Sequence, residues 1–348
     1  MYIANETSSR GVSVTNRPIS RRRCRRNPCY SAAHDMARVL VIGVGGQVGS
    51  FLAERLVAGR HVTIGVETAP RPGLPDGIEL RRHALDADNV TAFLDSVGAV
   101  DAIVHLAGKA SVAESWRAPM EAFDVNARLT TALAYAAAAR GVPFVNASTA
   151  EIFGDATEPT QNESTAIAPI SPYGVAKAAG HLTVRMTREQ MGARATNLIF
   201  YLGESARRAP HFVFRKITRG LARVKLGLDD SVALGNTSVI RDFCYADDFA
   251  RAAEMFALGA PPGDYICASG EAHSVADIAT TCCELLGLDP AAVLRTDPSL
   301  FRRADIPRLV GDATKLRALG WAPSMTFREL VRNIAEHDLE HVRQGDSG

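Results

Sequence analysis

The sequence predicts an α/β chain: a doubly wound parallel sheet carrying a smaller mixed α/β C-terminal domain. Three observations carry this reading. Short apolar runs end in glycine or small residues, the pattern of strands buried on both faces. Between them, apolar residues return at helical spacing, and strand alternating with helix is what a parallel sheet requires. After Tyr201 the alternation gives way to longer amphipathic helices.

The elements follow in order. RVLVIG (Arg38–Gly43) is the first strand, and GVGGQVGSFLAERLVAGR passes from it into a helix. HVTIGVE (His61–Glu67) is the second strand, and the Pro/Gly-rich APRPGLPDG (Ala69–Gly77) is a loop. AIVHLAG (Ala102–Gly108), VPFVNAS (Val142–Ser148) and TNLIFY (Thr196–Tyr201) are further strands. Glu121–Gly141 is predicted as one alanine-rich helix closing on a C-cap glycine. SPYGVAK (Ser171–Lys177) has the look of a helix's opening turn. Beyond Tyr201, helices are expected within Phe212–Leu228, Ser274–Leu288 and Thr326–Val342. The implied domains are 37–201, with part of 239–267 returning to it, and a second formed by 202–238 and 268–345.

At 348 residues and 47% apolar, the chain affords a full core. A net charge of +1 gives no reason to expect a nucleic-acid partner or a membrane surface. That balance hides a basic tail within residues 1–36, SRRRCRRNPC (Ser20–Cys29). The tail lacks the apolar run that a twin-arginine signal needs, so disorder, or translation starting at Met36, is expected there. Six cysteines show no metal-ligand spacing. Adjacent Cys282 and Cys283 are expected to pack, and a reducing cytoplasm fits.

The chemistry-bearing stretches lie at strand ends. Gly43, Gly46 and Gly49 follow a strand and open a helix, so the backbone can approach a pyrophosphate held at the helix N-terminus. This is the Rossmann dinucleotide pattern in its confirming context. Glu67, ending the second strand, suits a ribose diol and would repel a 2′-phosphate, pointing to NAD over NADP. It reads equally well as a solvated strand-end acid. Asp86 is a weaker adenine-side candidate. In NASTAEIFG (Asn146–Gly154), Ser148, Thr149 and Glu151 fall at the strand end that faces the ligand crevice. Tyr173 and Lys177, one helical turn apart, occur by chance on many helices; alternatively, the ammonium lowers the phenol's pKa and makes it a base.

Together GVGGQVG, the DVN of Asp124–Asn126, STAEIFG and SPYGVAK resemble the extended short-chain dehydrogenase/reductase family acting on nucleotide sugars. Gly203–Leu228, Leu234–Ala252, Tyr265–Val275 and Val310–Trp321 resemble its GDP-mannose 4,6-dehydratase branch. The resemblance implies Thr149, Tyr173 and Lys177 as the catalytic set and Glu151 as the base. It implies cofactor contacts from Gln47, Val48, Leu106 and Ala107, and substrate contacts from Ser115, Lys216, Arg241, Arg302 and Asp305. It implies no metal, a nicotinamide cofactor (NAD in preference to NADP, on the reading of Glu67), a GDP-linked sugar nucleotide and a homodimer or homotetramer. The same motifs would serve a nucleotide-sugar 4-reductase or epimerase, and a regulatory NAD-binding protein is the alternative of another class.

The chain departs from the branch in places. Ala150 replaces a hydroxyl beside the base, and Lys109-Ala110-Ser111 alters the wall near the sugar. Leu202 and Gly203 stand for an asparagine and a histidine. Glu67-Thr68 replaces an arginine pair that holds an NADP phosphate, and Asp305 replaces a glutamate.

Overall fold

The computed structural model describes residues 36–69, 73–301 and 305–345. The basic tail and Arg302 lie outside the described residues.

Seven strands form one all-parallel sheet in the order β3-β2-β1-β4-β5-β6-β11. They are β1 (Arg38–Ile42), β2 (Val62–Glu67), β3 (Ile78–Arg82), β4 (Ala102–His105), β5 (Phe144–Thr149), β6 (Ala195–Phe200) and β11 (Asp264–Cys267). Strand order reverses between β1 and β4, so the crevice outside their carboxyl ends is the topological switch point where ligands bind. β1, β4 and β5 are buried nearly throughout, which is why they read as continuous apolar runs. β3 escapes that signature. It is the edge strand, and IELRR is largely exposed.

The helices flanking the sheet include α1 (Gln47–Ala58), α2 (Val90–Val97), α5 (Leu129–Arg140), α6 (Pro172–Met191) and α8 (Ala246–Ala257). Two short helices, α3 (Val112–Ser115) and α4 (Pro119–Phe123), follow β4. The single helix expected over Glu121–Gly141 is instead three pieces. α4 runs into a π-turn at Asp124–Arg128, and only then does α5 begin. Asn126 accounts for the break: its side chain leaves the helix to accept from Lys109 N (3.1 Å) and donate to Lys109 O (3.0 Å). Such insertions into a helix favour functional sites.

Beyond β6, the strands β7 (Leu202–Glu204), β8 (Val232–Leu234), β9 (Ile240–Arg241) and β10 (Phe243–Tyr245) form small separate pairings. α7 (Val213–Lys225), α9 (Val275–Leu286) and α12 (Phe327–Arg343) pack around a second core; α10 (Pro290–Val293) and α11 (Thr314–Arg317) are single turns. Cys282 and Cys283 are fully buried in that core, as their helix position predicts. Among the described residues no helix is long and apolar enough to cross a membrane.

Candidate active site at the carboxyl edge of the sheet

Sterics force the glycine turn. Gly43 has φ +85°, and a Cβ there would sit 2.6 Å from Ala107 N. A Cβ on Gly49 would lie 2.2 Å from Gly43 O. The turn is therefore closed against the end of β4, where Leu106 N and Ala107 N both donate to Ile42 O. α1 opens at Gln47 behind an N-cap, Gly46, that has no side chain to cap it. The N–H groups of its first turn, from Gln47, Val48 and Gly49, have no intrahelical acceptor and aim at the crevice. Glu67 reaches over this turn and accepts from Gly45 N at 3.0 Å. A dinucleotide pyrophosphate with an adenosine ribose beside Glu67 fits this cradle.

The Gln47 side chain itself is engaged elsewhere. Nε2 donates to Gly203 O (2.9 Å) and Oε1 accepts from Ser205 Oγ (2.8 Å). Arg207, on the same strap, pairs with Glu54 (2.8 Å) and donates to Ser50 Oγ (3.0 Å). Asp86 is exposed and caps the turn into α2 by accepting from Asp88 N and Asn89 N.

α6 brings the catalytic candidates together. Ser171 caps it by accepting from Gly174 N, Pro172 occupies its first position, and Ser115 Oγ accepts from Tyr173 N at 3.1 Å. Ser115 also donates to Val112 O, so its buried hydroxyl ties the start of α6 to α3. Tyr173 and Lys177, four residues apart, share one face of α6, and both are nearly buried. The phenol is hydrogen-bonded to Thr149, whose Oγ1 also accepts from Glu151 N at 3.3 Å. Lys177 Nζ donates to Ala147 O at 2.9 Å. Gly108 is small because a Cβ there would meet Asn126 Oδ1 at 2.8 Å and Lys177 Nζ at 3.3 Å.

Electrostatics here differ from the sequence reading, in which the ammonium lowers the phenol. Burial pushes Tyr173 up to about 12. The Thr149 hydrogen bond and the charge of Arg208 pull it back, while Glu151 pushes it further up. Burial also pulls Lys177 down to about 8. His105 on β4, bonded to Thr130 Oγ1, is driven down to about 3 by burial and then by Lys177, so it is neutral.

Lys216, Arg241 and Asp305 meet in one cavity of about 200 Å³, with His211, Asn236 and Leu202 also on its wall. Arg241 is buried, pairs with Asp305 (3.1 Å) and donates to Ile306 O (2.7 Å). Two cations converging on an otherwise mixed pocket suit a diphosphate. At Gly203 no side chain fits, because a Cβ would meet the Phe249 ring at 2.6 Å. Phe249 in turn stacks on Phe200 with centroids 4.4 Å apart, so the ring occupies the space a histidine would need.

Sequence reasoning passed over two contributors, the Ala147 carbonyl and the Asn126 side chain, and a buried acid, Glu204. Asn126 had a signal, the DVN triplet; a backbone acceptor has none. Glu204 is 1% exposed, and its Oε2 has no hydrogen-bond partner, with Arg208 Nε 3.9 Å away. Burial raises its carboxyl from 4.5 to about 7, opposed by Arg208 and Arg215. A raised carboxyl binds its proton in the folded chain first. Its charge therefore destabilises the fold above pH 7, less so as pH falls, and not at all below the unfolded value of 4.5. Glu204→Gln should be more stable than wild type at pH ~8, by on the order of 2–3 kcal/mol. Thermal melts should show that advantage fading towards pH ~4.5; equal melting at pH ~8 would mean the charge is compensated.

The family model for "GDP-mannose 4,6 dehydratase" matches residues 40–334. The chain is 32% identical to GDP-mannose 4,6 dehydratase 2 of Arabidopsis thaliana over 328 residues, covering 88% of this chain and 87% of that one. Thermus thermophilus UDP-glucose 4-epimerase, solved with NAD, superposes with a TM-score of 0.77 at 28% identity, covering 89% of this chain and 99% of that one. RMD of Pseudomonas aeruginosa, solved with NADPH, gives 0.72 at 25% identity, covering 88% and 100%.

Proposed function

The chain belongs to the GDP-mannose 4,6-dehydratase family, and from that premise we propose that it removes water from GDP-mannose to give GDP-4-keto-6-deoxymannose. It is a hydro-lyase using a nicotinamide cofactor. The observation that carries the reading is the meeting of Thr149, Glu151, Tyr173 and Lys177 beside the glycine turn. Oxidised nicotinamide supplies a hydride acceptor for sugar C4 and, once reduced, a hydride donor for C6.

The chain's residues do the rest. Tyr173 accepts the C4 hydroxyl proton, and Thr149 holds the same oxygen. Lys177, oriented by Ala147 O, holds the nicotinamide ribose. The new ketone acidifies the C5 hydrogen. Glu151 removes it and passes the proton to the C6 hydroxyl, which leaves as water. The proton Tyr173 took from the C4 hydroxyl balances the one that C5 regains when hydride reaches C6. The charge of Glu151 acts on the phenol, which supports the two groups working on one substrate. The lobe formed by 202–238 and 268–345 holds the sugar nucleotide, with Lys216, Arg241 and Asp305 on its diphosphate.

Glu67 beside Gly45 favours NAD: a 2′-phosphate would meet a carboxylate instead of a cation. NAD should bind at least ~10-fold tighter than NADP, and Glu67→Ala should narrow that gap, each step of ten being about 1.4 kcal/mol. Isothermal titration checks it; equal affinities in wild type would sink the assignment. Exposed Tyr135 on α5 with Val175 and Leu182 on α6 support a homodimer pairing through these helices. The buried free cysteines Cys244, Cys267, Cys282 and Cys283 suit the cytoplasm.

The deciding experiment incubates NAD-loaded protein with GDP-mannose. A product lighter by one water, with the alkali-induced absorbance of a 4-keto sugar, supports the reading. Its absence, with reduction or epimerisation of a nucleotide sugar in its place, would transfer the chain's chemistry to the redox alternatives.

A further inference from the structure

α6 carries a third polar side chain on its catalytic face. Tyr173, Lys177 and His181 stand four residues apart, so they form one stripe along three successive turns. Between them they meet three neighbouring residues of β5, Ala147, Ser148 and Thr149. Tyr173 bonds Thr149, Lys177 Nζ bonds Ala147 O at 2.9 Å, and His181 Nδ1 lies 2.9 Å from Ser148 Oγ. We infer that His181 is a positioning residue for the reaction, its bond to Ser148 fixing the register in which Tyr173 and Lys177 meet β5. The inference rests on the function proposed above and assigns that site a residue outside its catalytic set.

The ring is held from behind by two strands. Asp264 of β11 places Oδ2 3.8 Å from His181 Nε2. Asn197 of β6 donates to both His181 O (3.0 Å) and Asp264 Oδ1 (2.9 Å), and accepts from Asn146 of β5 (2.9 Å). Arg188 closes the cluster on Asp264 at 3.0 Å. Burial lowers the imidazole to about 4, with Asp264 opposing and Arg185 and Arg188 assisting, so it is neutral at working pH. With Nε2–H facing Asp264, Nδ1 accepts and the Ser148 hydroxyl donates.

The connectivity Ser148–His181–Asp264 is that of a nucleophilic triad, yet the three are 3%, 2% and 8% exposed. No acyl group reaches that hydroxyl, so the cluster can act only through the backbone it holds. The two rungs nearer the helix start fix Tyr173 and Lys177 locally. The third resists sliding of the whole 20-residue helix along the strand.

His181→Phe keeps a buried ring of similar size and removes the rung. Because ångström-scale misplacement costs on the order of 10²-fold, kcat should fall about 10- to 100-fold, with KM for the nucleotide sugar and NAD occupancy unchanged. Ser148→Ala should reproduce the loss, the double variant should add nothing to it, and His181→Gln, which can still reach Ser148, should recover most of it. The carbon-13 ζ resonance of Tyr173, assigned by its disappearance in Tyr173→Phe, should shift in each variant that slows the enzyme. Wild-type kcat, additive losses or an unmoved tyrosine resonance would overturn the inference. If His181→Phe fails to fold, Ser148→Ala carries the same test. The resonance needs no substrate, so a wild type inert towards GDP-mannose would remove the functional reading and still leave this one to be judged.

Discussion

Tyr173→Phe should lower kcat by about 10³-fold, within the 10²–10⁴ that a positioned proton-transfer group contributes. The substitution is close to volume-conserving, and the ring stays in the pocket that buries Tyr173. Thr149 loses one partner but keeps Glu151 N. Stability should therefore change by no more than about 1 kcal/mol, and NAD should still copurify. Loss of kcat with little change in KM is the signature of an interaction made in the transition state alone. The burial that raises the phenol to about 12 sharpens the expectation. At neutral pH the group is almost wholly protonated, so it must give up its proton as it takes the substrate's, or be lowered first by positive charge brought beside it. The activity of wild type should rise with pH over the neutral range, and that slope should be absent from the residual rate of Tyr173→Phe. A variant that keeps wild-type kcat would show that the base is another group.

The scaffold was legible because burial leaves a strong trace in sequence. β1, β2, β4, β5 and β6 are hidden from water on both faces, so each reads as an apolar run, and the glycine turn announces itself through residues that sterics make irreplaceable. β3 was not legible, since an exposed edge strand needs no apolar residues. Nor was the π-turn, because alanine and leucine favour a helix throughout and only the tertiary bonds of Asn126 override them. The four catalytic candidates could be collected from strand-end and helix-start positions. What holds them could not. Ala147 acts through its carbonyl and Ser115 through a hydroxyl that accepts from Tyr173 N, and neither depends on a recognisable spacing. The same limit applies to charge: the Tyr-x-x-x-Lys spacing suggests an ammonium lowering a phenol, and only the folded environment shows burial overriding it.

Glu151→Gln should divide the reaction at its middle. Glutamine keeps the size of the side chain and leaves the Thr149–Glu151 backbone contact in place, so Tyr173 keeps its hydrogen bond. Removing the Glu151 charge also removes a contribution that raises the phenol, so oxidation at C4 should be no slower than in wild type. Elimination is another matter. Without a carboxylate to take the C5 proton, water loss should slow by about 10²- to 10³-fold. On mixing the variant with GDP-mannose, the absorbance of reduced nicotinamide should rise and persist, whereas wild type consumes it in the same turnover. In deuterated water the sugar recovered from the variant should carry no deuterium at C5. A 4-keto reductase or epimerase requires no proton transfer at C5, so under that alternative Glu151→Gln would turn over at the wild-type rate with no standing reduced nicotinamide. Unchanged water loss in the variant would instead assign the C5 proton to another acceptor; among the described residues, Glu151 is the acid whose charge raises the phenol. On the proposed reading, one carboxylate decides whether the ketone formed at C4 is handed back or driven on to a deoxy sugar.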